Sequence, residues 1–497
     1  MNKFINAAPL FFLFFLFSCA AGKKNYSPAK KYDQQTLQAE YRLLKNILEK
    51  KHPSLYWYTS KDSMDFYFTK YYQQIGDSMT EQQYAWKILA PLVDKINCGH
   101  TSVSLSKAYA KWADGRRFPA FPLTLKVWND SMAVIGNMNR KDSIFKRGTL
   151  VKSVNGITSA ALINNIFGYL PQDGYANNIN YIRMSANFPY YHRNIYGLSK
   201  EYQVTYLDKE GNEKTATIPV YAPPKDSARK KDSLLPKPIK LPKPTREERL
   251  EAYRSLKIDS SGKYALLNLN TFSKGHLRRF FRKSFRELKE KNIENLVLDL
   301  RNNGGGRVGV STLLTKYISR HPFKVADTLF SVTKNLGPYT RYIKGKFLNN
   351  IELIFICRKK ADGLYHIGHL ERKLYQPKKK LHYNGNVYVL VNGPTFSAST
   401  LFSNAVKGQP GITIAGEETG GGWYGNNGIM IPDIILPHTG VRVRLPLFRL
   451  VQYKHKPEQK GSGIIPDLFI GTSYDAILKG YDYKMKLIRE MIMKSIP

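Results

Sequence analysis

Only three cysteines, Cys19, Cys98 and Cys357, occur in the 497 residues. So few and so scattered, they exclude a disulfide scaffold and any zinc site built on CxxC pairs. There is no HExxH or comparable metal constellation, so the sequence implies neither a metal nor another cofactor. No glycine-rich loop runs into GKS or GKT, which disfavours a nucleotide P-loop. Acidic residues are scarce too: 38 Asp and Glu face 77 Lys and Arg, a formal charge of +39. That excess asks for nucleic acid, an anionic membrane or glycan surface, or a plain solvated face. The basic residues are scattered, with small clusters at Lys225 to Lys231 and Lys378 to Lys380. No fingerprint of a nucleic-acid-reading module accompanies them, so a solvated or membrane-facing surface is the better reading and no nucleic-acid partner is expected.

What is present suffices for folding. A composition that is 42% hydrophobic and 13% aromatic excludes a disordered or collagen-like chain. At roughly 100 to 200 residues per domain, the length asks for several domains, each with its own core.

The amino terminus reads as an address. Lys3 supplies a positive region, and Ala7 to Phe17 is an apolar run of 11 residues ending at Ser18-Cys19. A membrane-spanning helix needs about 20 apolar residues, and the polar Gly22-Lys23-Lys24 follows too soon. Residues 1–18 therefore read as a secretory signal. Leu16-Phe17-Ser18-Cys19 resembles the bacterial lipobox, which makes Cys19 the expected lipidation site and residues 19–33 a tether. The expected location is the bacterial cell envelope, lipid-anchored to a membrane and facing the periplasm or the surface.

Residues 34–117 read as an N-terminal helical domain, because Leu37, Tyr41, Leu44, Ile47 and Leu48 recur at spacings of three and four, and Gln82 to Val93 repeats the pattern. From 118 to 221 the texture becomes short strands, such as Phe121 to Val127 and Tyr202 to Tyr206, separated by turn signals including Asn155-Gly156. Arg147 to Gly156 resembles the strand and Asn-Gly turn of PDZ-like domains, which bind extended peptide by sheet-edge addition; a generic β-hairpin is the alternative. Residues 222–260 hold six prolines among many lysines and read as a linker. From 261 to 497, apolar strands (Tyr264 to Leu269, Asn295 to Leu300, Val387 to Val391, Ile412 to Ala415) alternate with amphipathic helices, one with Leu277, Phe280, Phe281, Phe285 and Leu288 on a single face. That alternation predicts a sheet covered by helices. The fold class is thus mixed α/β and multi-domain.

Two segments carry chemistry. Asp299-Leu300-Arg301-Asn302-Asn303-Gly304-Gly305-Gly306 follows a buried strand, and three glycines let the backbone turn sharply and aim N–H groups at an anion. The second, Val387 to Thr400, reads as strand, turn and helix, with Ala398, Leu401, Phe402 and Ala405 on the helix's buried face. Ser397 then falls at the helix N-terminus, where an acyl-transfer nucleophile or a simple helix cap is placed.

These segments resemble those of the tail-specific, or C-terminal processing, serine protease family, which includes the tricorn protease core and interphotoreceptor retinoid-binding protein. Its DLRxNGGG segment matches Asp299 to Gly306, its TxSAS segment matches Thr395 to Ser399, and its GxxPD segment matches Gly463 to Asp467. The resemblance implies a serine-type peptidase that cleaves polypeptides, with Ser397 as nucleophile and an oxyanion hole from the backbone N–H groups of Ala398, Gly304 and Gly305. Many members use a Ser-Lys dyad, but the corresponding stretch, Gly416 to Trp423, has no lysine. Lys407 reads as a solvated charge. The tricorn-like branch instead draws a histidine from a Gly-His-Thr context, which makes His100 the expected general base; Cys98 stands where that branch often has Asp. Glu458 is the candidate third member, with Glu417 and Glu418 behind it. A Cys98–His100 pair is a poorer alternative, since no oxyanion-forming turn adjoins Cys98. A rival reading is a catalytically inactive relative that binds peptide or an apolar ligand. A third, an adhesin for anionic glycans or nucleic acid, rests on charge alone.

Overall fold

The computed structural model describes residues 26–223, 244–345, 353–452 and 459–494. Its centre is a six-stranded sheet in the order Arg254–Ile258, Tyr264–Leu269, Asn295–Asp299, Asn386–Val391, Ile412–Gly416 and Leu468–Phe469. All neighbours are parallel except the first pair. Parallel strands are apolar on both faces because helices cover both. On one face Leu267, Leu296, Leu298, Val387 and Val389 pack in one core with helices Leu277–Glu290, Val308–Ile318 and Ala398–Val406. On the other, Tyr264, Val297, Leu390 and Ala415 meet Met485, Ile488 and Ile492 of helix Tyr483–Lys494. The strands and the helix face expected from the sequence are those observed. One difference is Arg254–Ile258, which lies in the stretch read as linker yet pairs as the antiparallel edge. Its alternating, half-exposed residues suit an edge, and the proline-rich flank hid it.

A second sheet is antiparallel, ordered Leu123–Trp128, Ser131–Asn137, Leu150–Val154, Glu201–Leu207 and Glu213–Pro219. Helices Ser159–Phe167 and Asn178–Tyr196 contribute Leu162, Ile163, Ile166, Met184 and Phe188 to its core. Asn155 (φ 49°) and Gly156 (φ 78°) turn Leu150–Val154 back onto Ile157–Thr158, the positive φ pair that a tight hairpin requires.

The amino-terminal helices do not close a core by themselves. Helix Gln34–Lys51 buries Leu37, Tyr41, Leu44, Ile47 and Leu48, as its spacing predicts. Those residues share one core with Leu329, Leu336, Ile434, Val441, Val443, Phe448 and Leu450 from far along the chain. Buried Glu40 seals the junction by accepting from the Thr439 backbone N–H at 3.0 Å and hydroxyl at 2.8 Å. The stretch read as a second helix is helical, but its middle, Tyr84–Leu89, is a π-turn. No helix among the described residues is long and apolar enough to cross a membrane. Residues 1–25, with the expected signal and Cys19, lie outside the described residues.

Candidate active site

The glycine-rich loop and the serine turn leave neighbouring parallel strands, Asn295–Asp299 and Asn386–Val391, at their shared C-terminal end. Thr395 ties them together: its hydroxyl donates to Leu300 O at 2.9 Å and accepts from Asn392 N at 3.0 Å. Phe396 N donates to Asn303 O at 3.1 Å. Gly305, at φ 93°, passes so close that an added methyl would lie 2.7 Å from Phe396 O, 2.8 Å from Ser397 Cβ and 2.9 Å from Ala398 N. Only glycine fits there.

Ser397 itself has φ 56° and ψ −120°, and helix Ala398–Val406 starts immediately after it. A non-glycine residue in such a conformation is strained and needs its surroundings to hold it. The gain is placement: the side chain projects beside the unpaired first-turn amides. Of the three amides expected to hold an oxyanion, Ala398 N–H is one of those amides. Gly304 N–H has no hydrogen-bond partner among the described residues, and a methyl on Gly304 would meet open space. Gly305 N–H differs from expectation, because the buried Asn303 side chain accepts from it at 2.9 Å. The amides of Gly304 and Ala398 are therefore the ones left available to a ligand oxygen, with Gly305 as the spacer that permits their approach.

The imidazole arrives from another part of the fold. Asn97, at φ 53°, turns the chain, Thr101 N donates to Cys98 O at 2.9 Å, and buried His100 projects from this loop. Its ring lies against Phe396, the residue before the serine, with centroids 4.7 Å apart. Gly428 shows how near the two chemical groups come. A methyl on it would lie 2.7 Å from Ser397 Oγ and 3.0 Å from His100 Nε2, so hydroxyl and imidazole flank one small space.

Behind the ring stands a carboxylate that the sequence did not advertise. Asp173 is buried, with Oδ1 3.8 Å from His100 Nδ1. The same oxygen accepts from Gly99 N at 2.7 Å, and Oδ2 accepts from Gly422 N at 3.4 Å. Asp173 thus fixes the histidine loop and the glycine-rich stretch after the serine helix to one point. Buried His52 supports the loop from below, with Nε2 2.8 Å from the Thr101 hydroxyl and Nδ1 accepting from Ser54 N at 3.1 Å. Burial, with the Arg449 guanidinium nearby, pushes His52 down to about 3, so it stays neutral.

Residues 263–470 match the family model for peptidase family S41. This stretch is a peptidase family S41 domain. It is a serine-type peptidase, a hydrolase whose substrates are polypeptides. Two solved structures, described as mature CPAF and as mature CPAF complexed with lactacystin, share the fold of this chain. They are 14% and 15% identical to it, each with a TM-score of 0.62 over 93% of this chain and 99% of the solved one. Comparison with curated proteins finds no match.

The remaining motif residues of this S41 domain hold the frame. Asp299 pairs with Arg301 at 2.6 Å, and Arg301 reaches Asp482 at 2.7 Å, fastening the last helix to the glycine-rich loop. Asp467 accepts from Ile414 N at 2.9 Å and forms an ion pair with Lys407, whose ammonium also donates to Ile465 O at 2.9 Å. Lys407 is therefore a strut rather than a solvated charge. Glu417 pairs with Lys484 at 2.8 Å, and Glu418 accepts from Gly463 N at 2.6 Å, so both carboxylates are committed to structure. Glu458 lies outside the described residues. Cys98 is buried, its sulfur accepts from Asn427 Nδ2 at 3.0 Å, and burial pushes its thiol pKa up, the opposite of what a cysteine nucleophile needs. Among the described residues no group of His, Cys, Asp and Glu could hold a metal ion.

Proposed function

We propose that this peptidase is a cell-envelope lipoprotein, anchored through Cys19, that cleaves polypeptides with Ser397 as nucleophile and His100 as general base. The observation that carries the mechanism is the shared space above Gly428, bounded by Ser397 Oγ and His100 Nε2. Serine at its ordinary pKa is a weak nucleophile and needs an adjacent base. His100 takes the hydroxyl proton as Oγ attacks the scissile carbonyl. The tetrahedral oxyanion then faces the Ala398 and Gly304 amides, the kind of preorganised donor whose removal costs roughly 10² to 10³-fold in rate. The imidazolium next protonates the leaving amine, which departs and leaves an acyl-serine. Water, deprotonated by the same imidazole, hydrolyses that ester. Asp173 sits where it favours the tautomer with hydrogen on Nδ1 and steadies the imidazolium. The antiparallel sheet of residues 118–221, read as PDZ-like, would present extended polypeptide to this site.

Labelling with a fluorophosphonate and cleavage of an unfolded protein substrate test this reading. Both are expected from the native chain, and both should vanish in Ser397→Ala. Labelling that persists in Ser397→Ala overturns the assignment. A native chain that neither labels nor cleaves, yet binds peptide, is the inactive relative instead. For the anchor, Cys19→Ala should release the protein from the membrane fraction; retention there refutes lipidation.

A further inference from the structure

A cavity of about 450 Å³ lies beside the histidine loop. Its wall includes Ser102 and Val103, just after His100, and Pro171, two residues before Asp173. The segments that carry the imidazole and its carboxylate therefore also build this cavity. Its lining is aromatic: Trp86 lies 5.6 Å from Tyr190, 6.2 Å from Tyr191 and 6.4 Å from Tyr169 between ring centroids. Trp86 sits in the π-turn Tyr84–Leu89, a helix distortion that is frequent at functional sites. The charged lining residues, Arg183 and Arg442, are both cations, so a basic ligand is disfavoured.

Next to the cavity runs a short strand, Val103–Ser104, the edge of a three-stranded sheet that pairs only with Arg442–Arg444. Its other edge faces no strand among the described residues. An extended peptide that adds to such an edge gains main-chain hydrogen bonds and turns alternate side chains to one face. The volume falls within the range of small-ligand pockets, roughly 300 to 1,000 Å³. It is ample for one large side chain.

We propose that this cavity is a substrate subsite that takes a bulky aromatic or branched apolar side chain of the polypeptide, whose backbone docks on the Val103–Ser104 edge. The inference rests on Ser397 and His100 being the catalytic pair. A binding pocket built partly from the segment that carries His100 makes substrate choice and placement of the imidazole depend on one piece of structure.

Ala110 lines the cavity from the exposed side of helix Lys107–Ala113, where a larger residue is tolerated by the fold. The test uses the full chain and peptides that differ at one position, Ala, Leu, Phe or Trp, scanned across the cleavage point. At one position, kcat/KM should favour Phe over Ala by about tenfold or more. Ala110→Trp, which fills the cavity, should bring that ratio close to one, and Tyr190→Ala, which widens it, should shift preference toward Trp. The ratio is independent of how much enzyme is folded, because both peptides meet the same sample. A native enzyme with no such preference, or a ratio unmoved by Ala110→Trp, overturns the subsite while leaving the catalytic pair standing. An apolar dye that fills the cavity without competing with cleavage overturns it as well. Absence of any cleavage or labelling in the native chain is the separate failure of the catalytic reading.

Discussion

Ser397 stands on a parallel strand, a tight turn and a helix that are contiguous in sequence, with the glycine-rich loop on the adjacent strand. His100 stands on no regular element. Its loop is held by Asp173, 74 residues beyond Gly99, by the Phe396 ring, and by the packing around Gly428. The serine side is thus positioned by backbone hydrogen bonding within a covered sheet, and the histidine side by long-range side-chain contacts. Rigidity is inherited on one side and assembled on the other. Substitutions on the histidine side should therefore cost activity without unfolding the sheet, whereas damage to the sheet should cost both.

The largest effect that sharpens this contrast is His100→Ala. If the imidazole is the base, kcat should fall by about 10⁶-fold, while the urea midpoint of the sheet domain holds. A loss of less than about tenfold would mean that some other group deprotonates Ser397, and the two-sided description would fail. Asp173→Asn comes next. Asn keeps the size and can still accept from Gly99 N, but it no longer steadies an imidazolium. A fall of about 10⁴-fold in kcat at nearly constant KM is expected, with the deficit largest where the histidine must carry charge. Unchanged kcat would leave Asp173 as a mere fastener for Gly99 and Gly422.

Gly428→Ala probes the point where the two sides meet. Gly428 lacks the positive φ that would itself forbid alanine, so the cost is steric: the new methyl occupies the space between Ser397 Oγ and His100 Nε2. Displacing groups by an ångström or so costs about 10²-fold, seen as slower fluorophosphonate labelling with stability retained. Labelling at the native rate would show that the pair does not work across that space.

The same contrast explains what could be read in the sequence. Strands Tyr264–Leu269, Asn295–Asp299, Asn386–Val391 and Ile412–Gly416 were legible because apolar runs between amphipathic helices announce a covered sheet. The turns that carry Ser397 and Gly304 were legible because the strands and the helix that aim them lie beside them in sequence. Asp173 was not: a lone Asp in Gln172-Asp173-Gly174 looks like any turn, and only folding brings it to His100. Phe396 and Gly428 were missed for the same reason. The π-turn at Tyr84–Leu89 hid within an ordinary helical spacing, since one inserted residue barely disturbs an apolar pattern of that length. Gly305 was placed in the right loop with the wrong duty, because nothing in three consecutive glycines tells which amide Asn303 will claim.

The smallest expected effect separates the two sides by acid. The buried histidines His52, His100, His192 and His366 all lie outside the parallel-sheet cores. His52 has its pKa depressed from 6.5 to about 3 by burial and then by Arg449. A base with a lowered native pKa leaves the unfolded chain as the better proton binder between those two values, so its contribution is complete above about 6.5 and is withdrawn as pH falls toward 3. Between pH 7 and pH 5 this one residue should remove about 2 kcal/mol. His52→Gln can keep hydrogen bonds to Ser54 and Thr101 but does not titrate, so its unfolding free energy, whatever its starting value, should fall less over that interval by about the same amount. Urea unfolding at the two pH values measures the difference directly. An equal fall in native and variant would mean that His52 is protonated in the folded protein, and the histidine loop would then rest on a charged pillar rather than a neutral one.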